Sequence, residues 1–170
     1  SSDVCSSDLG APEPEQVPVR TIEKQMEIAM PAFAIGFRCP DAGCGADAMR
    51  MDLIGELAGE MLVGESSKLY QKLYDENVID ADFSVDYERM KGMALLELSG
   101  DSEDPRRILR EVLAEAARVL KTGVDRALLA RLKKSVTGRR LRELDGFEGT
   151  CYRMCAYYFD GAEYFDYPEI

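Results

Sequence analysis

Apolar and polar positions alternate with two different periods along this chain, and the switches between them mark the elements. Phe33, Ile35 and Phe37 fall on every second residue, so Ala32–Arg38 reads as a strand with one apolar face. Phe83, Val85 and Tyr87 repeat that pattern within a strand over Asp82–Met90. Lys91-Gly92 is a hairpin turn signal, and Met93–Ser99 returns as the partner strand. Val19–Ile28 reads as a further, weaker strand, and Pro31 after it fits a bend or an edge position.

Elsewhere the period lengthens to that of a helix. Met51, Ile54, Leu57, Ala58, Met61 and Leu62 predict an apolar helix face opened by Asp47 as N-cap and ended by Gly64. Ser66 is the expected cap of a short helix with Leu69, Tyr70 and Leu73 inward. Asp104-Pro105 starts a third helix, which carries Ile108, Leu109, Val112, Leu113, Ala116, Val119 and Leu120 to Gly123. Asp125 caps a fourth with Leu128, Leu129, Leu132 and Val136, and a last helix is expected over Glu148–Phe159. The order β-β-α-α-β-β-α-α-α predicts an α+β fold, a largely antiparallel sheet with helices packed on one face.

One hundred and seventy residues bound this to a single domain. Residues 1–10, with their repeated Ser-Ser-Asp, read as a cloning or assembly scar. The proline-rich 11–18 reads as a linker, and 19–170 as one α/β module truncated at its C-terminus. Both ends read as those of a fragment.

Histidine is absent, which removes imidazole-dependent triads and His-ligated zinc from this chain. The net charge of −11 argues against nucleic acid as partner, and no apolar run is long enough to suggest a membrane span. Five cysteines, an odd set, with no signal peptide visible, point to a reducing, cytoplasmic setting.

Four weaker signals have two readings each. Cys39, Cys44, Cys151 and Cys155 are either a four-thiolate metal site at loose spacing or ordinary reduced thiols. Glu56 and Glu60 lie one helical turn apart, as metal-binding carboxylates would, but lack a histidine partner. Residues 106–142 hold 12 of the 21 basic residues and three acids, +9 against −20 elsewhere. Within them Arg131, Lys133, Lys134, Arg139, Arg140 and Arg142 either line a groove or form a solvated helix face. The aromatic cluster Tyr152, Tyr157, Tyr158, Phe159, Tyr164, Phe165 and Tyr167 is either a binding surface or packing, and reads as packing against chain outside this fragment.

The most specific stretch is Glu65–Phe83. Glu-Ser-Ser-Lys-Leu-Tyr-Gln-Lys-Leu-Tyr-Asp-Glu-Asn-Val-Ile resembles a segment of the insulinase/pitrilysin/processing-peptidase family of zinc metallopeptidases. There a Gly-x-Ser-Ser turn leads into Ser-Arg-Leu-Tyr-x-x-Leu-Arg-Glu. Gly64, Ser66, Ser67, Leu69, Tyr70, Leu73, Asp75 and Ile79 agree in place or character. Phe33–Asp41, the stretch Ser99–Pro105 with the helix after it, and Lys133, Lys134 and Gly138 agree with neighbouring parts. The similarity is greatest to a bacterial pitrilysin-like branch, some members of which are linked to modification of elongation factor P.

The resemblance implies a LuxS/processing-peptidase-like half. Such proteins close two related halves around a peptide, and the first half carries zinc on His-x-x-Glu-His. A chain without histidine matches the start of the second, non-catalytic half. It implies no cofactor in this chain, zinc in the other half, and that half and a peptide as partners. An inactive homologue acting as a scaffold is the alternative. The family's second half often supplies an arginine and a tyrosine seven residues apart toward substrate. Tyr74 stands at the first position; Ala81 stands at the second, with Phe83 the nearest aromatic. Tyr74 and Phe83 are therefore the candidate substrate-contacting residues, with a phenol where the family has a guanidinium.

Overall fold

A computed structural model describes residues 19–40, 43–90, 93–159 and 161–165. In chain order the elements are β1 (Ala32–Cys39), α1 (Ala46–Val63), α2 (Lys68–Asp75), β2 (Ser84–Met90), β3 (Met93–Asp101), α3 (Pro105–Thr122), α4 (Arg126–Glu143) and α5 (Phe147–Phe159). Residues 1–10, read as a scar, residues 11–18, read as a linker, the expected Lys91-Gly92 turn and Tyr167 lie outside the described residues.

The strands form one antiparallel sheet in the order β1-β3-β2. Its register sets Ile35, Leu98 and Val85 in one cross-strand row and Phe37, Leu96 and Tyr87 in the next. Those rows make the apolar face that alternation requires. Leu98 is fully buried at its centre. Val63 of α1, Leu69 and Leu73 of α2, and Ile108 and Val112 of α3 pack with Leu98 and Phe83, while Phe33, Ile35, Phe37 and Val85 close the cluster. On the opposite face Arg38, Asp86 and Glu88 are exposed and Ser84 and Ser99 share a 3.0 Å hydroxyl contact. The result is α+β with an antiparallel sheet and helices on one face.

The chain enters α3 and α4 through side chains that satisfy free backbone N–H groups. Asp104 accepts from the Arg107 N–H at 2.9 Å, with Pro105 at the first helical position. Asp125 accepts from Ala127 at 2.9 Å and Leu128 at 3.1 Å. Gly123 ends α3 at φ 82°, a conformation costly for any residue with a Cβ.

Several expectations need correction. Val19–Ile28 forms no strand: Val19, Ile22, Met26 and Ile28 are all more than half exposed. Alternation without a neighbouring strand to hydrogen-bond leaves an extended segment. It is tied down by the Ser102 N–H donating to the Pro31 carbonyl (2.9 Å) and by an exposed Arg106–Glu23 pair. Gly45, not Asp47, occupies the N-cap of α1, and Ser67, not Ser66, caps α2 by accepting from the Tyr70 N–H at 3.0 Å.

The buried stripe of α1 also differs. Ala48, Met49, Gly59 and Val63 are buried while Ile54 and Ala58 are exposed. Gly59 lets the helix settle onto the sheet, since a Cβ there would stand 2.9 Å from both Leu96 and Val85. A Cβ at Gly55 would overlap the Tyr87 ring outright. On α3 only Ile108 and Val112 are buried, and Leu113 and Leu120 face outward.

Candidate functional site

Two clefts lie where α1, β2 and α4 meet, beside the outer edge of the sheet. The first encloses about 410 Å³ and the second about 350 Å³; Glu60, Val85 and Arg139 line both. Among the described residues no strand lies on the far side of β2, and the chain there lines the second cleft with Phe83, Ser84 and Val85 and the first with Val85, Asp86, Tyr87 and Arg89.

The first cleft is built around an ionic network. Glu56 on α1 takes Arg139 through one carboxylate oxygen and Arg140 through the other, the latter at 3.1 Å. Arg140 also approaches Glu143 at 3.7 Å, and Glu143 holds Arg153 of α5, with one contact at 2.9 Å. Arg140 is only 7% exposed, so its charge needs these partners. On the sheet side Arg89 donates through Nε to Asp52 at 3.0 Å. Glu60 sits between the clefts, and its carboxylate makes no hydrogen bond or ion pair among the described residues. Burial pushes its carboxyl above the ordinary range, opposed by Arg139 and reinforced by Glu56, Glu65 and Asp86.

The second cleft is more aromatic. Phe83 lines it, yet is 7% exposed and belongs to the core. Phe83 meets Phe33 on one side (centroids 6.3 Å) and Tyr70 on the other (6.0 Å). Tyr74 stacks on Tyr70 at 6.0 Å with ring planes 9° apart and is 47% exposed. The two candidates are thus joined through Tyr70 in one aromatic row that runs from β1 to the surface of α2. Burial also raises the Tyr70 hydroxyl pKa, with Glu65 adding to it.

The remaining signals resolve as follows. Cys39, Cys44, Cys151 and Cys155 are free thiols, and no group of three or more His, Cys, Asp or Glu able to hold a metal occurs among the described residues. Glu56 and Glu60 do not act as a ligand pair, since Glu56 is taken by arginines. The basic set divides: Arg139 and Arg140 are bound to Glu56, whereas Arg131, Lys133, Lys134 and Arg142 are exposed and make no ion pair among the described residues. Tyr157 and Tyr164 pack with Met49, while Tyr152, Tyr158, Phe159 and Phe165 face outward. Sequence reasoning missed the Glu56–Arg140 and Asp52–Arg89 pairs, whose partners lie 84 and 37 residues apart. The close approach at Gly55 and Gly59 left a legible trace, two glycines one turn apart inside a helix.

A family model described as the peptidase M16 inactive domain matches residues 4–136. The chain belongs to the M16 peptidase family, in its non-catalytic C-terminal half. The M16 chain is 26% identical over 159 residues to a Bacillus subtilis (strain 168) protein described as the uncharacterized zinc protease YmfH, covering 91% of this chain and 36% of that protein. Its fold matches the crystal structure of an M16-like peptidase from Alicyclobacillus acidocaldarius with a TM-score of 0.73, at 23% identity, over 78% of this chain and 31% of that one. It therefore spans about a third of the length of these relatives. Among the described residues no helix is long and apolar enough to cross a membrane.

Zinc is the metal such relatives imply, and the residues here do not fit it. There is no histidine, and no described cluster supplies three ligands. No hydrolytic step is assigned to this chain.

Proposed function

We propose that this chain is the substrate-chamber half of a zinc-dependent peptidase. It helps enclose a peptide while a separate catalytic half holds the metal and activates water. The observation that carries the reading is the M16 inactive-domain match on a chain without a single histidine. Two features support it. The sheet face away from the helices is polar and open, and β2 is an edge strand of the sheet among the described residues, the place where an extended peptide adds a strand.

Of the two candidates, Tyr74 is the proposed substrate contact, and Phe83, buried in the core, backs it through Tyr70. A phenol donates one hydrogen bond and no charge, so peptide binding at Tyr74 rests on aromatic contact and depends weakly on salt. The catalytic half of the same parent is the proposed partner, in a reducing, cytoplasmic setting consistent with four free thiols. The test is peptide hydrolysis by the full-length parent, wild type against Tyr74→Ala. A raised KM is expected. Unchanged rate and affinity would take α2 out of the substrate site, and a parent inactive in both forms would leave a scaffold.

A further inference from the structure

Between α1 and α4, on the side away from β2, runs a groove of about 620 Å³. Leu53, Ile54 and Leu57 form one wall, and Val136, Leu141 and Leu144 the other. With Arg50 on the first wall and Lys133, Thr137 and Arg140 on the second, the lining positions recur at three- and four-residue intervals along each helix, so the trough between them follows a helix axis. Its apolar lining stays open: Ile54 is 47% exposed, Leu141 61% and Leu144 38%. The charges that line it are all positive, Arg50, Lys133 and Arg140, although the chain carries −11 overall. Arg140 is committed to Glu56, but Arg50 and Lys133 are exposed and make no ion pair among the described residues.

We propose that this groove docks an acidic amphipathic helix from the part of the parent protein outside this chain. The proposal rests on the reading of the chain as one module of a larger peptidase. A helix with apolar residues at three- and four-residue intervals fills the trough, and its flanking carboxylates meet Arg50 and Lys133. A second copy fits less well, because a two-fold groove-to-groove contact sets the same cations against each other. The relatives, of which this chain spans 36% and 31%, have ample length to supply such a helix.

The experiment is thiol labelling of Leu141→Cys in the full-length parent, read peptide by peptide by mass spectrometry so that the native cysteines do not interfere. The expected labelling is slower than in the unfolded protein by at least about tenfold, as for a site reached only through local opening. Adding Arg50→Glu and Lys133→Glu is expected to restore fast labelling. Ile54→Cys on the facing wall repeats the measurement should Leu141→Cys perturb folding. Labelling at the unfolded rate overturns the proposal. So does protection indifferent to the charge reversals, and so does protection lost on dilution, which belongs to a second copy. The readout does not depend on hydrolysis, so an inactive parent with a protected groove refutes only the peptidase reading, and an active parent with an open groove refutes only this one.

Discussion

Glu56 is the residue on which the helical layer turns. Its two carboxylate oxygens hold Arg139 and Arg140, and the second of these is buried. Truncating Glu56 takes from a buried guanidinium the carboxylate that holds it at 3.1 Å and leaves Glu143 at 3.7 Å. Glu56→Ala is expected to cost about 3–5 kcal/mol, read as a fall in the thermal midpoint. Glu60, one turn on, behaves oppositely. Its pKa is raised by burial, so the folded state binds its proton more tightly than the unfolded state does. Its contribution is full below the ordinary carboxylate pKa and is lost as pH rises through the folded value. Glu60→Gln is expected to raise the midpoint at neutral pH and to leave it unchanged in acid. A lower midpoint at neutral pH would mean that the ionised carboxylate has a partner. None of this was legible beforehand: Glu56 and Glu60 share a turn and a residue type, and only their surroundings separate them.

At the scale of elements, α1 depends on what it lacks. Gly55 and Gly59 bring its backbone onto Tyr87, Val85 and Leu96, which no hydrophobic pattern can announce. The periodicity of Ile54 and Ala58 therefore pointed to the wrong face, while the α4 stripe of Leu128, Leu132 and Val136 was read correctly because its burial rests on large apolar side chains. Gly55→Ala is expected to destabilise by about 1–3 kcal/mol through overpacking. Gly138→Ala on α4, where a Cβ meets nothing within 4 Å, is expected to stabilise by up to about 1 kcal/mol. Thermal denaturation of the pair checks the sign of each. The caps at Asp104 and Asp125 were legible because they are local. The strand expected at Val19–Ile28 failed for the converse reason, since a strand exists only with a partner.

For the molecule as a whole, the uneven charge has a structural account in part. Arg106, Arg107, Arg118, Arg139 and Arg140 of the basic region pair with glutamates, and the cations left over gather on α4. The inactive-domain match decides the kind of half this is, and the lack of histidine in this chain agrees with it. The central claim is that this chain contributes to peptide hydrolysis without performing it. The most direct measurement is peptide hydrolysis and bound zinc for this chain, for the catalytic half of its parent, and for the two mixed. The account predicts no hydrolysis and no stoichiometric zinc for this chain alone, zinc but little turnover for the catalytic half alone, and turnover restored on mixing. Hydrolysis by this chain alone, or full activity of the catalytic half without it, would contradict the account.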